Sequence, residues 1–507
     1  MILNLLVLAG LRLVRCADMS AIISRQYRRT TLQLWAFLAV LAGLGFGYFG
    51  FRINFLWLAV TLFLGLSMRR KNGFKLLLVI LLAFGLGWWR GIGYNDKIAV
   101  YDHLYDQKLT IVGQANEDAN YNKYKQISFS AGNLRLEDGT KIPGKILVSG
   151  YGANSVLHGD KVVITGKMRP GYGTNNARMS YAQLSVVEHN PTLIADLRRN
   201  FIVGMQNALP EPAASFGMGL LVGQRVTLPE EVKQDLLMVG LTHIIAVSGY
   251  NLTIILRATG GLFAKQSKRL TVFFAVGLIF VFLLITGSSA SIVRAAIVSM
   301  LSISAAYYGR SIKPLNLIAL AAAITAWANP MYIWADLGWY LSFLAFYGVL
   351  VLAPLMSKRL TPRLRKSIIA MIALETICAE IMTMPFVLFN FGQVSLIGLL
   401  ANVLVVVFIP LAMLLSLIAG LGGMLFSSLA GWIALPAKIL LTYMLDIAHI
   451  LSDIPNVFIE NISLSLSQML TMYALVVFAT ILLWFKANPK SDTITDKNDD
   501  NLQGVKV

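Results

Sequence analysis

Charge is scarce in this sequence. Only 13% of its 507 residues are Asp, Glu, Lys or Arg, while 57% are of hydrophobic types. A soluble domain carries about 25% charged and roughly 45–50% apolar residues, so most of this chain is excluded from being a water-soluble globule. Cysteine is nearly absent. Cys16 and Cys378 both lie in or beside apolar segments, which excludes a disulfide framework and a thiolate metal site. The histidines His103, His158, His189, His243 and His449 are scattered, with no two at metal-ligand spacing. No glycine loop leads into Lys-Ser or Lys-Thr, so nucleotide hydrolysis by this chain is not expected. Ser248 lacks the flanking glycines of a nucleophile elbow. These absences argue against an enzyme, and no cofactor or metal is expected.

Long apolar runs are abundant. Thr271–Ile285, Leu396–Ile418 and Met472–Phe485 are uncharged and of spanning or near-spanning length. The net charge of +18 first suggests nucleic acid, but its placement has a simpler cause. Short basic clusters lie between the apolar runs, at Arg25/Arg28/Arg29, Arg69–Lys75, Lys265–Arg269, Arg310/Lys313, Lys358–Lys366 and Lys486/Lys490. A path of about twelve spans with both termini in the cytoplasm puts every cluster on one side, as the positive-inside rule requires. The spans are read as 31–48, 55–67, 74–89, 235–264, 270–285, 292–308, 315–328, 331–356, 367–389, 395–421, 424–451 and 468–485.

The fold class is therefore a mainly α-helical polytopic membrane protein with one extracytoplasmic β-barrel domain of the oligonucleotide/oligosaccharide-binding (OB) type. The divisions are a cytoplasmic segment 1–30, three spans in 31–93, the outer domain 97–191, an amphipathic helix 193–210 expected on the outer membrane surface, a spanning unit 211–486 and a disordered cytoplasmic tail 487–507. The outer domain alternates apolar and polar residues in Lys108–Gly113, Gln126–Leu136, Lys145–Ser149 and Lys161–Lys167, with turn signals between. It carries 11 basic and 9 acidic side chains, a net of only +2. Tyr121, Tyr124, Phe129, Tyr151 and Tyr172 are candidates for stacking on bases, and aromatics are also ordinary strand formers.

Polar residues inside spans are costly and face a bundle interior or an aqueous path. Four stretches concentrate them. Leu241–Leu252 carries His243, Ser248, Gly249 and Asn251, and its Ser-Gly permits an unwound segment. Thr286–Arg294 offers Ser288 among small residues and then Arg294, which is always charged. Asp336–Ala345 carries Asp336, a candidate partner for Arg294, and Ser342. That pairing reads equally as architecture or as part of a transport path. Glu380–Asn402 carries Thr383, Pro385, Gln393, Ser395 and Asn402, and Pro385 is expected to break its helix near the outer end.

In order and spacing, His243–Leu252, Thr286–Arg294 with Ala295-Ala296, Asp336–Ala345 and Thr383–Asn402 resemble the competence domain of the ComEC family of DNA-uptake channels. The resemblance covers about Thr31 to Phe485. It implies a channel in the bacterial cell membrane that passes single-stranded DNA inward during natural transformation, with those polar residues along its path and the barrel outside. A DNA receptor, a cytoplasmic DNA translocase and membrane lipid are the partners it implies. Many family members carry a C-terminal metallo-β-lactamase-like domain. This sequence has no His-x-His-x-Asp-His cluster, so a nuclease is expected to be a separate protein. It also has Asn251 where the family commonly has His, Tyr340 where it has Gln, and no cysteine in the outer domain. Two other readings stand beside the channel: a transporter of another polymer or small solute whose barrel binds sugar, and a scaffold for uptake machinery.

Overall fold

The computed structural model describes residues 29–51, 72–121, 126–153, 156–189, 193–222, 228–245, 267–286, 290–310 and 313–487. Helices dominate, and a separate β-sheet domain is inserted near the N-terminus. Among the described residues, seven helices are long and apolar enough to cross a membrane: Arg29–Phe49, Lys75–His103, Leu337–Ser357, Ile369–Phe391, Gly398–Leu425, Leu435–Ser452 and Leu466–Phe485. Ser291–Tyr307 and Pro314–Ala328 are shorter apolar helices. The spans expected at 55–67 and across most of 235–264 lie outside the described residues.

Among the described residues the first two helices, α1 (Arg29–Phe46) and α2 (Asn72–Ile98), pack closely because glycines line both faces. A Cβ on Gly43 would fall 2.1 Å from the Phe84 carbonyl oxygen, and one on Gly87 would fall 2.2 Å from that of Val40. Gly47 and Gly91 meet in the same way. Lipid tails are as apolar as Leu, so membrane helices associate through such close backbone approach.

The β domain contains β1 (Lys108–Ala115), β2 (Asn120–Tyr121), β3 (Ile127–Leu136), β4 (Lys141–Ile142), β5 (Ile146–Tyr151), β6 (Lys161–Pro170) and β7 (Ala177–Glu188). The sheet runs β1-β6-β7-β5-β3, and β3 pairs again with β1, so the order returns to its start. Only the β5–β7 pairing is parallel. Ile111, Phe129, Ile146, Ile164, Met179 and Leu184 fill the interior. The strand β7 was not separately legible in the sequence, for a local reason. Ala177 and Met179 point inward, Tyr181 takes φ +57, and Ala182 and Leu184 then point inward instead. One residue in the left-handed region shifts the parity of the alternation.

Further helices among the described residues include α3 (Leu193–Ala208), α4 (Ala213–Val222), α5 (Glu230–Met238), α6 (Thr242–Ile245), α7 (Lys268–Thr286), α8 (Ala290–Tyr307), α9 (Pro314–Ala328), α10 (Met331–Ala335), α11 (Leu337–Tyr347), α12 (Ile368–Phe391), α13 (Gly398–Val405), α14 (Ile409–Leu425), α15 (Leu435–Ser452) and α16 (Leu466–Ala487). A two-stranded ribbon, β8 (Val394–Ser395) with β9 (Phe458–Ile459), ties two connections together.

Three expectations change. The span read as 331–356 is interrupted at Asp336, whose extended backbone (φ −93, ψ 97) separates α10 from α11. The span read as 424–451 begins later, because α14 continues to Leu425 and α15 starts at Leu435 with Pro436 in its first turn. Finally, α3 does not spend its apolar face on a lipid surface. Phe201, Met205 and Ala208 are buried in the core of the membrane unit, and Gly204 meets Gly420 and Gly423 of α14 backbone to backbone.

Overpacking a tight contact costs about 1–3 kcal/mol. Gly87→Val should therefore lower the thermal midpoint of the detergent-solubilised protein. Gly85→Val, at a site with nothing within 4 Å, should leave it unchanged. Equal midpoints for the two variants would refute the glycine seam.

Candidate functional site

The structure gathers the intramembrane polar residues into two clusters. The first is built on Arg294, in the second turn of α8 and 3% exposed. Its Nη1 donates to Asp336 Oδ2 at 3.3 Å, and its Nη2 donates to the Gly338 carbonyl at 3.0 Å and to Ser342 Oγ at 3.0 Å. The interruption before α11 makes this possible, because it brings a side-chain carboxylate, a first-turn carbonyl and a hydroxyl onto one guanidinium. The Nε of Arg294 has no hydrogen-bond partner among the described residues. The pairing of Arg294 with Asp336 expected from the sequence is present, 42 residues apart. A buried guanidinium needs such partners, since removing one partner of a buried pair costs about 3–5 kcal/mol.

The second cluster joins α12, β8 and α13. Asn402, 2% exposed, donates its amide to Glu380 Oε1 at 2.8 Å. Gly398 lies between Ser395 and Glu380: a Cβ there would stand 3.7 Å from Glu380 Oε1 and 3.6 Å from Ser395 Cβ. Gly240, at φ +73, brings the start of the Leu241–Leu252 stretch to the same place, 3.3 Å from Ser395 Cβ by the same measure. His243 Nδ1 meets the Gly240 carbonyl at 3.1 Å. The oxygens Ser395 Oγ and Asn402 Oδ1 have no partner among the described residues. The two clusters are linked through Tyr340 of α11, whose ring lies 5.4 Å from that of Phe386 on α12.

The other nominated residues are placed less distinctively. Thr383 Oγ1 donates back to the Ala379 carbonyl at 3.0 Å, so its hydroxyl serves its own helix. Pro385 does not break α12, which continues to Phe391. Gln393 is half-buried in the turn before β8. Ser248, Gly249, Asn251 and Ser288 lie outside the described residues. In the β domain, Phe129 is 1% exposed in the core and is not free to stack on a ligand. Tyr151 and Tyr172 are exposed, and the Arg178 guanidinium lies 5.6 Å from the Tyr172 ring centroid. Tyr121 stands on β2, and Tyr124 lies outside the described residues.

Three features escaped the sequence reading. Glu380 is the first, and its sequence signal is a carboxylate inside an apolar run. Asp235 of α5 accepts Ser452 Oγ–H at 2.8 Å and meets His449 Nδ1 at 3.0 Å, both on α15. With more than two hundred residues between the partners, no local signal exists. Lys145 of the β domain lies within electrostatic reach of Asp336. Burial pushes its ammonium below the ordinary lysine value, opposed by Glu117 and Asp336. Among the described residues no three His, Cys, Asp or Glu side chains are grouped to hold a metal ion.

The stretch that contains both clusters also identifies the family. The model of the family described as Competence protein matches residues 220–486, more than half of the chain. The chain belongs to the Competence protein family. Of curated proteins, ComE operon protein 3 of Bacillus subtilis (strain 168) is 25% identical over 237 residues, which is 45% of this chain and 29% of that protein. The chain thus aligns with less than a third of its relative's length. No solved structure matches. This competence protein is a multi-pass membrane protein, and its family-matched region holds Arg294, Asp336, Glu380 and Asn402.

Two substitutions test how the clusters hold together. Arg294→Ala, which leaves Asp336 buried without its cation, should destabilise the protein by about 3–5 kcal/mol in reversible unfolding. Glu380→Gln keeps an acceptor for Asn402 and should cost little, whereas Glu380→Leu strands the Asn402 amide at about 1–3 kcal/mol. Equal stability of the two Glu380 variants would show that the Asn402 hydrogen bond contributes nothing.

Proposed function

We propose that this competence protein conducts single-stranded DNA across the bacterial cell membrane into the cytoplasm during natural transformation. The observation that carries the reading is Arg294, a permanent cation buried among membrane helices and met by one carboxylate, one carbonyl and one hydroxyl. A strand with a charge on every phosphate cannot cross hydrocarbon unaided. A path for it needs a cation and neutral donors, but not a dense basic lining that would keep the strand from leaving. Arg294, with the neutral groups Ser342, Ser395 and Asn402 on neighbouring elements, has that composition. Membership of the Competence family supports the same reading.

On this proposal the outer domain is an OB-like barrel that receives the strand outside the cell. The return of the β1-β6-β7-β5-β3 order to β1 supports the closed form. About twelve spans with both termini cytoplasmic remain the topology that puts all basic clusters inside. The protein performs no chemistry of its own. A separate receptor delivers DNA, and a cytoplasmic translocase supplies the energy.

Deleting the gene should abolish transformation while DNA still binds to the cell surface. Arg294→Lys keeps the charge but loses the planar fork, and it should lower transformation at least tenfold with normal membrane levels of protein. In proteoliposomes loaded with a trapping single-strand-binding protein, the purified chain should admit labelled oligothymidylate and not labelled dextran. Normal transformation by the deletion strain, or uptake of dextran alone, would sink the proposal.

A further inference from the structure

The outer domain meets the membrane helices along a polar seam. Tyr101, just beyond α2 and fully buried, donates its hydroxyl to the Pro143 carbonyl at 2.7 Å. Tyr105 donates to the Asn176 carbonyl at 3.1 Å. Asn176 Oδ1 in turn accepts the Lys145 N–H at 3.1 Å. Gly144, at φ +91, fits so closely over this amide that a Cβ there would fall 2.1 Å from Asn176 Oδ1. The turn at 143–145 is thereby fixed over the outer end of α2.

On α2 itself, Tyr94 faces the Asn176 side chain. The Arg90 guanidinium lies 5.8 Å from the Tyr94 ring centroid, and Trp334 packs against the same ring at 5.7 Å. Trp334 stands two residues before Asp336, and its indole is fixed by a 3.0 Å hydrogen bond to the Leu44 carbonyl. Tyr332 lies within electrostatic reach of Tyr94, Arg294 and Asp336. A continuous series of contacts therefore runs from the outer domain to the buried arginine. Three cations, Arg90, Lys145 and Arg294, line it. The carboxylates nearest Lys145 have other partners: Glu117 Oε1 accepts the Ser130 N–H at 3.1 Å, and Asp336 binds Arg294. Among the described residues neither forms an ion pair with Lys145. Cations in excess of carboxylates, at a joint between a polar domain and a bundle, make a site for an anion.

We infer that this seam is a phosphodiester-binding mouth, in which Lys145 takes a backbone phosphate of single-stranded nucleic acid leaving the outer domain and positions the strand for Arg294. The inference rests on the reading of the protein as a DNA conduit and adds the residue that joins its two parts. Lys145 is a positioning residue in that path. A lipid headgroup presents the same phosphodiester chemistry, so the test separates the two sources.

The full chain is reconstituted in nanodiscs of phosphatidylcholine with phosphatidylglycerol, and binding of fluorescent oligothymidylate is titrated against salt. A phosphate contact on a single strand contributes a slope of about −0.7 in log K against log salt. Lys145→Gln should therefore weaken binding about fourfold at 0.15 M salt and flatten the slope by about 0.7. Lys145→Arg should restore both. A lysine that merely docks the domain would shift the unfolding midpoint and leave the salt slope unchanged. Wild-type binding with an unaltered slope in Lys145→Gln overturns the inference and leaves the conduit standing. So does loss of bound phosphatidylglycerol, read by native mass spectrometry, without a change in oligonucleotide affinity. Failure of the wild type to bind any oligonucleotide removes the conduit itself.

Discussion

A guanidinium that cannot be deprotonated sits 3% exposed in a bundle of apolar helices, and much of the surrounding architecture answers to it. At that burial its Nη groups are met by protein. Asp336, the Gly338 carbonyl and Ser342 do so, and they converge only because the helix is interrupted at Asp336. An unbroken helix through 331–356 would hold Asp336 on a regular turn instead of in its extended conformation. The break frees backbone groups inside the membrane, which is tolerated only where protein or an aqueous path satisfies them.

The second constraint is how the helices hold together without a hydrophobic drive between them. Gly43 and Gly87 in one seam, and Gly204 with Gly420 and Gly423 in another, bring backbones to distances that exclude any side chain. The two polar clusters stand on other elements, α8 with α11 and α12 with α13. Rigidity matters because a polar cluster held loosely in apolar surroundings loses the hydrogen bonds that offset its desolvation. The tie between Tyr340 and Phe386 connects the clusters, so the α11 and α12 stretches form one unit.

Much of this was legible in the primary structure because the governing rules are local. Run length and basic clusters predict spanning helices. Alternation predicts β1, β3, β5 and β6, and it fails for β7 where Tyr181 reverses the parity. Polar residues inside apolar runs pick out Arg294, Asp336, Ser342, Ser395 and Asn402. The same rule misjudges Thr383, because a threonine in a helix can satisfy its hydroxyl on its own backbone four residues earlier. It misjudges Phe129 because an aromatic at an inward strand position looks no different in sequence from one at an outward position. Pro385 has no broken helix to show for its missing N–H: α12 continues to Phe391, as membrane helices tolerate when other groups satisfy the freed backbone.

The sequence by itself determined that this chain crosses a membrane repeatedly, that a β domain is inserted near its N-terminus, and which polar residues lie in the spans. Composition, periodicity and charge placement act over a few turns of chain and are readable without partners. Only the tertiary structure decided which of those residues meet. Arg294 with Gly338 and Ser342, Glu380 with Asn402, and Asp235 with His449 are separated by 22 to 214 residues. Lys145 becomes part of the site only because Tyr101, Tyr105 and Asn176 hold its turn over the end of α2. Such encounters depend on how whole elements pack, and no local pattern in the chain records that.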